Sequence, residues 1–225
     1  MIEHDVEQGS RAWLELRTKT GPTASQFHRI LTPKKQTLST QIRPYMCELI
    51  AEARLGPMVG DEKSQFMERG SDLEDDAIAF YRFMRSDRKT RKVGFVTLDD
   101  GSAGCSPDLL VDDDGGVEVK CLGLAKHVQA MLWPPDDYVC QIQGCMWICE
   151  RDWWELLCYN PSMDSSLRRF QRDEAFIGKL ASAVAQFNEQ LAEAKGRFDA
   201  MSPPRQPAPE PTLDHLRGEE FAHVA

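Results

Sequence analysis

Asp108, in the segment Cys105-Ser106-Pro107-Asp108, and the triplet Glu118-Val119-Lys120 ten residues further on place two carboxylates and an ammonium within reach of one another. A phosphodiester is itself anionic and repels hydroxide, so its hydrolysis needs a divalent cation that neutralises charge and acidifies a water. Hard Mg²⁺ or Mn²⁺ prefers oxygen ligands and accepts one or two carboxylates together with waters and phosphate oxygens. Asp108, Glu118 and the backbone carbonyl of Val119 are the candidate oxygens, and Lys120 is the candidate to orient the attacking water or share its proton. The pattern is short. A Glu-x-Lys pair also suits a solvated strand face, and an aspartate after proline also suits a turn.

Extended segments must position these groups. Residues 91–98, 103–111 and 116–122 read as strands separated by Asp99-Asp100-Gly101-Ser102 and by the stretch from Asp112 to Gly116, and they are expected to form a meander. Side chains alternate across a pleat, so Val117, Val119 and Cys121 share one face while Glu118 and Lys120 share the other. Pro107 removes a ladder donor and favours a local break or bulge that re-aims Asp108 toward Glu118.

Two helices bracket this sheet. Over residues 62–84, Phe66, Gly70, Leu73, Ala77 and Phe80 recur at helical spacing. Glu74 falls in line with Met67, Ile78 and Tyr81, while Asp72, Asp75 and Asp76 fall on the polar side. A buried acid lacking a cationic partner is costly, so Glu74 is either a ligand or a carboxylate at the helix surface. Over residues 137–150, Gln141 shares a stripe with Tyr138, Cys145 and Ile148, where its amide could hold a water or phosphate oxygen, or satisfy the core. Residues 153–159 and 166–172 read as paired strands. Asp173 caps a long helix whose apolar stripe is Phe176, Leu180, Val184, Phe187, Leu191 and Ala194, with Gly196 closing it. The expected fold is α/β, a central mixed β-sheet flanked by helices, in one domain over residues 1–198. The Pro-rich remainder, 199–225, reads as a flexible tail: Ser202 to Pro211 as a semi-extended linker, Leu213 to Ala225 as a short helix or a mobile end.

The blocks EQGSRAWLELR (7–17), TASQFH (23–28), RGSDLEDDA (69–77), GCSPDLL (104–110), GVEVKC (116–121) and QIQGCMWI (141–148) occur in one order at characteristic intervals. With them the chain, from about residue 6 to residue 195, resembles the lambda-type exonucleases of phage recombination, the YqaJ-like viral recombinase nucleases of the PD-(D/E)xK superfamily. The resemblance implies a restriction-endonuclease-like core. It makes Asp108 and Glu118 the metal ligands, Lys120 the catalytic lysine, Glu74 the helical acid near a second metal and Gln141 the motif glutamine. Arg17 and Ser25 match residues that bind the 5′-terminal phosphate, beside Thr23. Read independently, Thr23 suits an N-cap for a helix from Ser25 to Leu31, a natural phosphate site, whereas Arg17 alone better suits a surface or structural ion pair.

The net charge of −9 is unusual for a protein acting on DNA. Whole-chain charge governs the long-range field, however, while affinity depends on phosphates neutralised locally. Basic residues gather at Arg17, Lys19, Arg29, Lys34 and Lys35, and again at Arg82, Arg85, Arg88, Lys89, Arg91 and Lys92, the second group suiting a solvated helix end better than DNA contact. Seven scattered cysteines fit reduced thiols. Cys140, Cys145, Cys149 and Cys158 lack a Cys-x-x-Cys pair, so no iron–sulfur cluster is expected. The N-terminus carries neither a basic nor an apolar leader and no apolar run reaches membrane-spanning length, so a cytoplasmic protein without a membrane partner is expected, acting in a bacterial host cell as a phage or prophage product.

The reading is a Mg²⁺-dependent 5′→3′ exonuclease on double-stranded DNA ends. Polarity, processivity, a ring-shaped trimer and a single-strand annealing protein as partner are implied by the resemblance. A structure-specific endonuclease on the same scaffold, and a non-catalytic DNA- or partner-binding module, are the alternatives.

Overall fold

A computed structural model describes residues 1–56, 73–133 and 136–203. The start of the expected 62–84 helix, with Phe66, Met67, Gly70 and Asp72, lies outside them, as does the tail from residue 204.

Five strands form the main sheet in the order β2 (Thr90–Arg91), β5 (Leu109–Val111), β6 (Gly115–Cys121), β7 (Trp153–Tyr159) and β8 (Ser166–Gln171). It is mixed: β6 and β7 run parallel, with Glu118 opposite Leu156 and Lys120 opposite Cys158, and the other pairs are antiparallel. A smaller antiparallel sheet joins β1 (Ile2–His4), β3 (Phe95–Thr97) and β4 (Gly104–Cys105).

The expected meander is therefore divided between two sheets. Its first strand breaks at Lys92-Val93-Gly94 and its second at Ser106-Pro107-Asp108. Pro107 has no N–H to offer a ladder, and Gly94 lies so close to the Val6 carbonyl that a Cβ would overlap it. The first strand thus crosses from the large sheet to the small one and the second crosses back at the same level, and Asp108 stands at the crossing.

The two faces of the main sheet are covered differently. Helix α1 (Arg11–Lys19) and helix α2 (Ile42–Leu55) lie in the N-terminal part, and helix α3 (Glu74–Met84) packs Ala77, Ile78 and Tyr81 onto Leu109, Val117, Val119 and Leu157. Alternation turns Glu118 to the opposite face, with Trp154 and Leu156. That face carries helix α4 (Leu124–Leu132) and helix α5 (Val139–Ile148), and helix α6 (Glu174–Met201) packs on α5 and α2. Cys140, Ile142, Gln143, Cys145, Met146 and Ile148 are all buried, so α5 is a central helix with no wet face. Gly144 lets it approach a 3₁₀ turn at Ala24–Arg29, since a Cβ there would fall 2.5 Å from the Phe27 ring.

Helix α6 begins as expected, with the Asp173 carboxylate accepting the Phe176 N–H at 3.0 Å. It does not close at Gly196 but continues to Met201. Glycine in a helix interior costs about 1 kcal/mol, and tertiary contacts outweigh it: Arg54 of α2 pairs with Asp199 at 2.5 Å and lies over the Phe198 ring. Among the described residues no helix is long and apolar enough to cross a membrane.

Candidate active site

Strand β6 presents Glu118 and Lys120 on one face, as the pleat requires. Lys120 Nζ donates to Glu118 Oε1 at 2.6 Å. The parallel β6–β7 pairing demands a crossover, and α5 lies within it, so Gln141 Nε2 reaches the same Oε1, also at 2.6 Å. Glu118 is only 4% exposed, yet its second oxygen, Oε2, is buried without any hydrogen-bond partner among the described residues. A buried carboxylate oxygen left unsatisfied is costly, and a bound cation is the natural remedy.

Asp108 reaches the same place from the strand break, its Oδ2 accepting the Val119 N–H at 2.6 Å. The N–H and C=O of one strand residue point to the same edge, so the Val119 carbonyl also faces the Asp108 side, beyond the last β5–β6 pair of Leu109 with Val117. Burial, then repulsion from Glu118, pushes the Asp108 carboxyl well above the usual carboxylate range, against the pull of Lys120 and the Val119 N–H. Burial acts to lower the Lys120 pKa, but Glu118 and Asp108 outweigh it and hold the ammonium above its ordinary value. Burial also raises Glu74, which is half-buried in the first turn of α3, opposed chiefly by Lys92. Negative charge thus exceeds positive at the centre, which favours a divalent cation.

The donor set fits a hard cation. Among the described residues, no three acidic, histidine or cysteine side chains converge into a complete cage. Mg²⁺ needs none, since it keeps several waters and is held by one or two carboxylates plus substrate phosphates.

Two separate concavities are lined by residues of this cluster. Asp108 and Glu74 wall a cleft of about 710 Å³ with Gln8, Trp13 and Lys92. Lys120 and Gln141 line another of about 470 Å³ with Ser25, His28 and Tyr138, whose ring lies 5.3 Å from the Lys120 ammonium. Arg17 lines neither. It stands in a small cavity of about 150 Å³ with Thr23, Arg29 and Tyr45, its guanidinium 4.3 Å from the Trp13 ring centre and its pKa lowered by burial. Arg17 makes no ion pair among the described residues, so the surface-pair alternative does not describe it. Arg17 and Ser25 are separated by Thr23, whose hydroxyl lies 3.4 Å from that of Ser25. The expected helix from Ser25 to Leu31 is instead the short 3₁₀ turn, and Thr23 makes no capping bond to it.

The second basic group is occupied by the protein itself. Arg85 pairs with the buried Glu155, Arg88 with Asp112, Arg91 with Glu3 and Lys92 with Asp75. In the first group Arg29 and Lys34 are likewise paired, with Glu48 and Asp136. Most of the cysteines sit in the core, where Cys105 and Cys149 bring their sulfurs to 3.4 Å. Trp13, whose indole donates to the Ser106 hydroxyl at 2.9 Å, is a site residue that the sequence reading does not single out. Its spacing of one helical turn from Arg17 was the available signal.

A mixed sheet flanked by helices, carrying two carboxylates and a lysine at a strand break, defines a nuclease of the restriction-endonuclease-like fold. The chain belongs to the YqaJ-like viral recombinase domain family, which residues 12–152 match. Among solved structures it is similar to an alkaline exonuclease, LHK-Exo, from Laribacter hongkongensis, at 26% identity and a TM-score of 0.74 over 86% of this chain and 98% of that one. LHK-Exo in complex with dAMP matches at 25% identity and a TM-score of 0.75, with the same coverage. A phage-related exonuclease from Haemophilus somnus 129PT shares the fold at 16% identity and a TM-score of 0.63, over 81% of this chain and 96% of that one. No curated protein matches the sequence.

Proposed function

We propose that this protein is a Mg²⁺-dependent, processive 5′→3′ exonuclease that enters double-stranded DNA at 5′-phosphorylated ends and leaves a 3′ single strand for an annealing protein, Mn²⁺ substituting for Mg²⁺. The observation that carries the hydrolytic part is the buried Glu118 Oε2 beside Asp108, without a hydrogen-bond partner among the described residues, with Lys120 held 2.6 Å from the other oxygen of Glu118. Family membership supports DNA as the substrate, and the likeness to LHK-Exo supports attack from an end. Processivity follows if the protein forms the ring-shaped trimer of lambda-type exonucleases, which retains DNA topologically.

Asp108, Glu118 and the Val119 carbonyl would hold the metal, and Glu74 would serve a second one. When bound, the cation supplies neutralisation of the phosphate and a water acidic enough to attack. Lys120, kept protonated by its two carboxylate neighbours, offers an N–H to orient that water or a phosphate oxygen. Gln141 holds the Glu118 carboxylate in place. Arg17, backed by Trp13, would bind the terminal phosphate, with Ser25 approaching from the far side of Thr23.

Digestion of linear duplex labelled separately at each terminus, with and without Mg²⁺, tests the reading. Loss of 5′ label first, only with metal, is expected, and covalently closed circles should survive. Cutting of closed circles would replace the exonuclease reading with the endonuclease one. Activity retained by Asp108→Ala would remove the metal site from the mechanism.

A further inference from the structure

The two strand breaks at the sheet crossing, residues 92–94 and 106–108, leave backbone carbonyls outside any ladder. Neither the Val93 nor the Pro107 carbonyl accepts from another backbone N–H among the described residues. One side chain serves both: Gln8 Nε2 donates to Val93 O at 2.9 Å and to Pro107 O at 3.0 Å. Val93 and Pro107 are themselves buried, so each carbonyl would be costly to leave unpaired. Pro107 is the residue immediately before Asp108, and Gln8 lines the same cleft as Asp108 and Glu74.

From this geometry we infer that Gln8 is a positioning residue for the Asp108 carboxylate: its amide staples the two breaks together and so fixes the backbone from which Asp108 reaches the metal. The inference deepens the proposed function and rests on its metal site. Asp108 has no ladder partner of its own, because β4 ends at Cys105 and β5 begins at Leu109. Its backbone is located by what grips its two predecessors, the Gln8 amide on Pro107 and the Trp13 indole on Ser106. Both grips come from the EQGSRAW segment of the N-terminus, 99 and 93 positions away in the chain. Both amide hydrogens of Gln8 are committed to the two carbonyls, which orients the side chain as a bridge rather than as a donor to DNA.

The test is direct Mn²⁺ binding by the full chain without DNA, followed by electron paramagnetic resonance or calorimetry. Gln8→Met keeps the length of the side chain and removes both donors without adding charge. It should weaken Mn²⁺ binding by about tenfold, the lower end of what loss of a supporting contact costs a metal site. Gln8→Asn retains an amide one methylene too short to span both carbonyls and should fall between. Gln143→Met is the control: its amide bonds the Gln171 carbonyl and the Asp173 N–H, stapling backbone elsewhere, and its loss should leave Mn²⁺ affinity unchanged. Unaltered affinity in a folded Gln8→Met protein would overturn the inference, as would an equal loss in Gln143→Met. Should Gln8→Met fail to fold, Gln8→Asn decides by the same criterion. Absence of Mn²⁺ binding by the unsubstituted protein is a distinct result and would overturn the metal reading on which the inference stands.

Discussion

Replacing Glu118 by glutamine separates the two functions that its oxygens serve. Oε1 holds Lys120 and Gln141, while Oε2, without a hydrogen-bond partner among the described residues, is the atom proposed to take a cation. Removing one partner of a buried ion pair costs about 3–5 kcal/mol because the other charge is stranded. Lys120 keeps 25% of its side chain exposed, and loss of the Glu118 charge relieves the repulsion on Asp108, so both corrections point to the lower end. With about 3 kcal/mol lost, and roughly 2–4 °C per kcal/mol for a domain of this size, Glu118→Gln should melt about 6–12 °C below the unsubstituted protein in chelator. Metal widens the gap. At a free concentration near 100 Kd, a cation that binds only the folded state adds about 2.7 kcal/mol, an increment Glu118→Gln should largely lack. Thermal melts in chelator and across a Mg²⁺ or Mn²⁺ titration measure both quantities. Equal melting points in chelator would refute the pairing argument, and an equal rise with metal would refute the assignment of Oε2.

Three further outcomes are expected. Arg17→Ala should weaken the preference for phosphorylated over hydroxyl 5′ ends by about tenfold or more, since charge-assisted contacts contribute roughly 1.5–3 kcal/mol; parallel digestion of the two substrates checks it, and equal loss on both would remove the role. Metal affinity should rise with pH: Asp108 is raised above its unfolded value, so the stability it contributes without metal is present at acid pH and is lost as pH climbs through the raised pKa, while the ionised form that binds metal grows. Mn²⁺ titrations should therefore show tighter binding at pH 8 than at pH 5.5, by up to about tenfold per pH unit for each proton displaced. Gly144→Ala should destabilise by about 1–3 kcal/mol through overpacking, because its Cβ would meet the Phe27 ring, and denaturant unfolding measures it.

How much of this was legible depended on distance along the chain. The Glu118–Lys120 face follows from strand alternation alone, as does the burial of Val117 and Val119 opposite it. The break before Asp108 was signalled by Pro107. What the sequence did not carry was the second sheet, because β3 and β4 are only three and two residues long and their partner β1 comes from the extreme N-terminus. Helix α2 bears Pro44 in its first turn, a position that suits a helix start yet reads equally as a loop. Gly196 looked like a stop, and only the contact of Arg54 with Asp199 and Phe198 explains why it is not one. At the site, the stacking of Arg17 on Trp13 is signalled by their spacing of one helical turn, whereas the bridging by Gln8 is a tertiary fact with no local signature beyond the shared motif.

The parallel pairing of β6 with β7 also governs when the site can exist. A nascent polypeptide that has emerged only as far as Cys121 holds both acids and the lysine, yet one edge of β6 is bare and the Glu118 side chain lacks its Gln141 brace. Its neighbour along that edge is Tyr159, thirty-eight positions downstream, and Gln141 is made in between. Contacts spanning such intervals form late, because the intervening loop must first be closed. With Asp108, Glu118 and Lys120 as the proposed catalytic groups, cutting power would be withheld during translation until most of the fold has been synthesised.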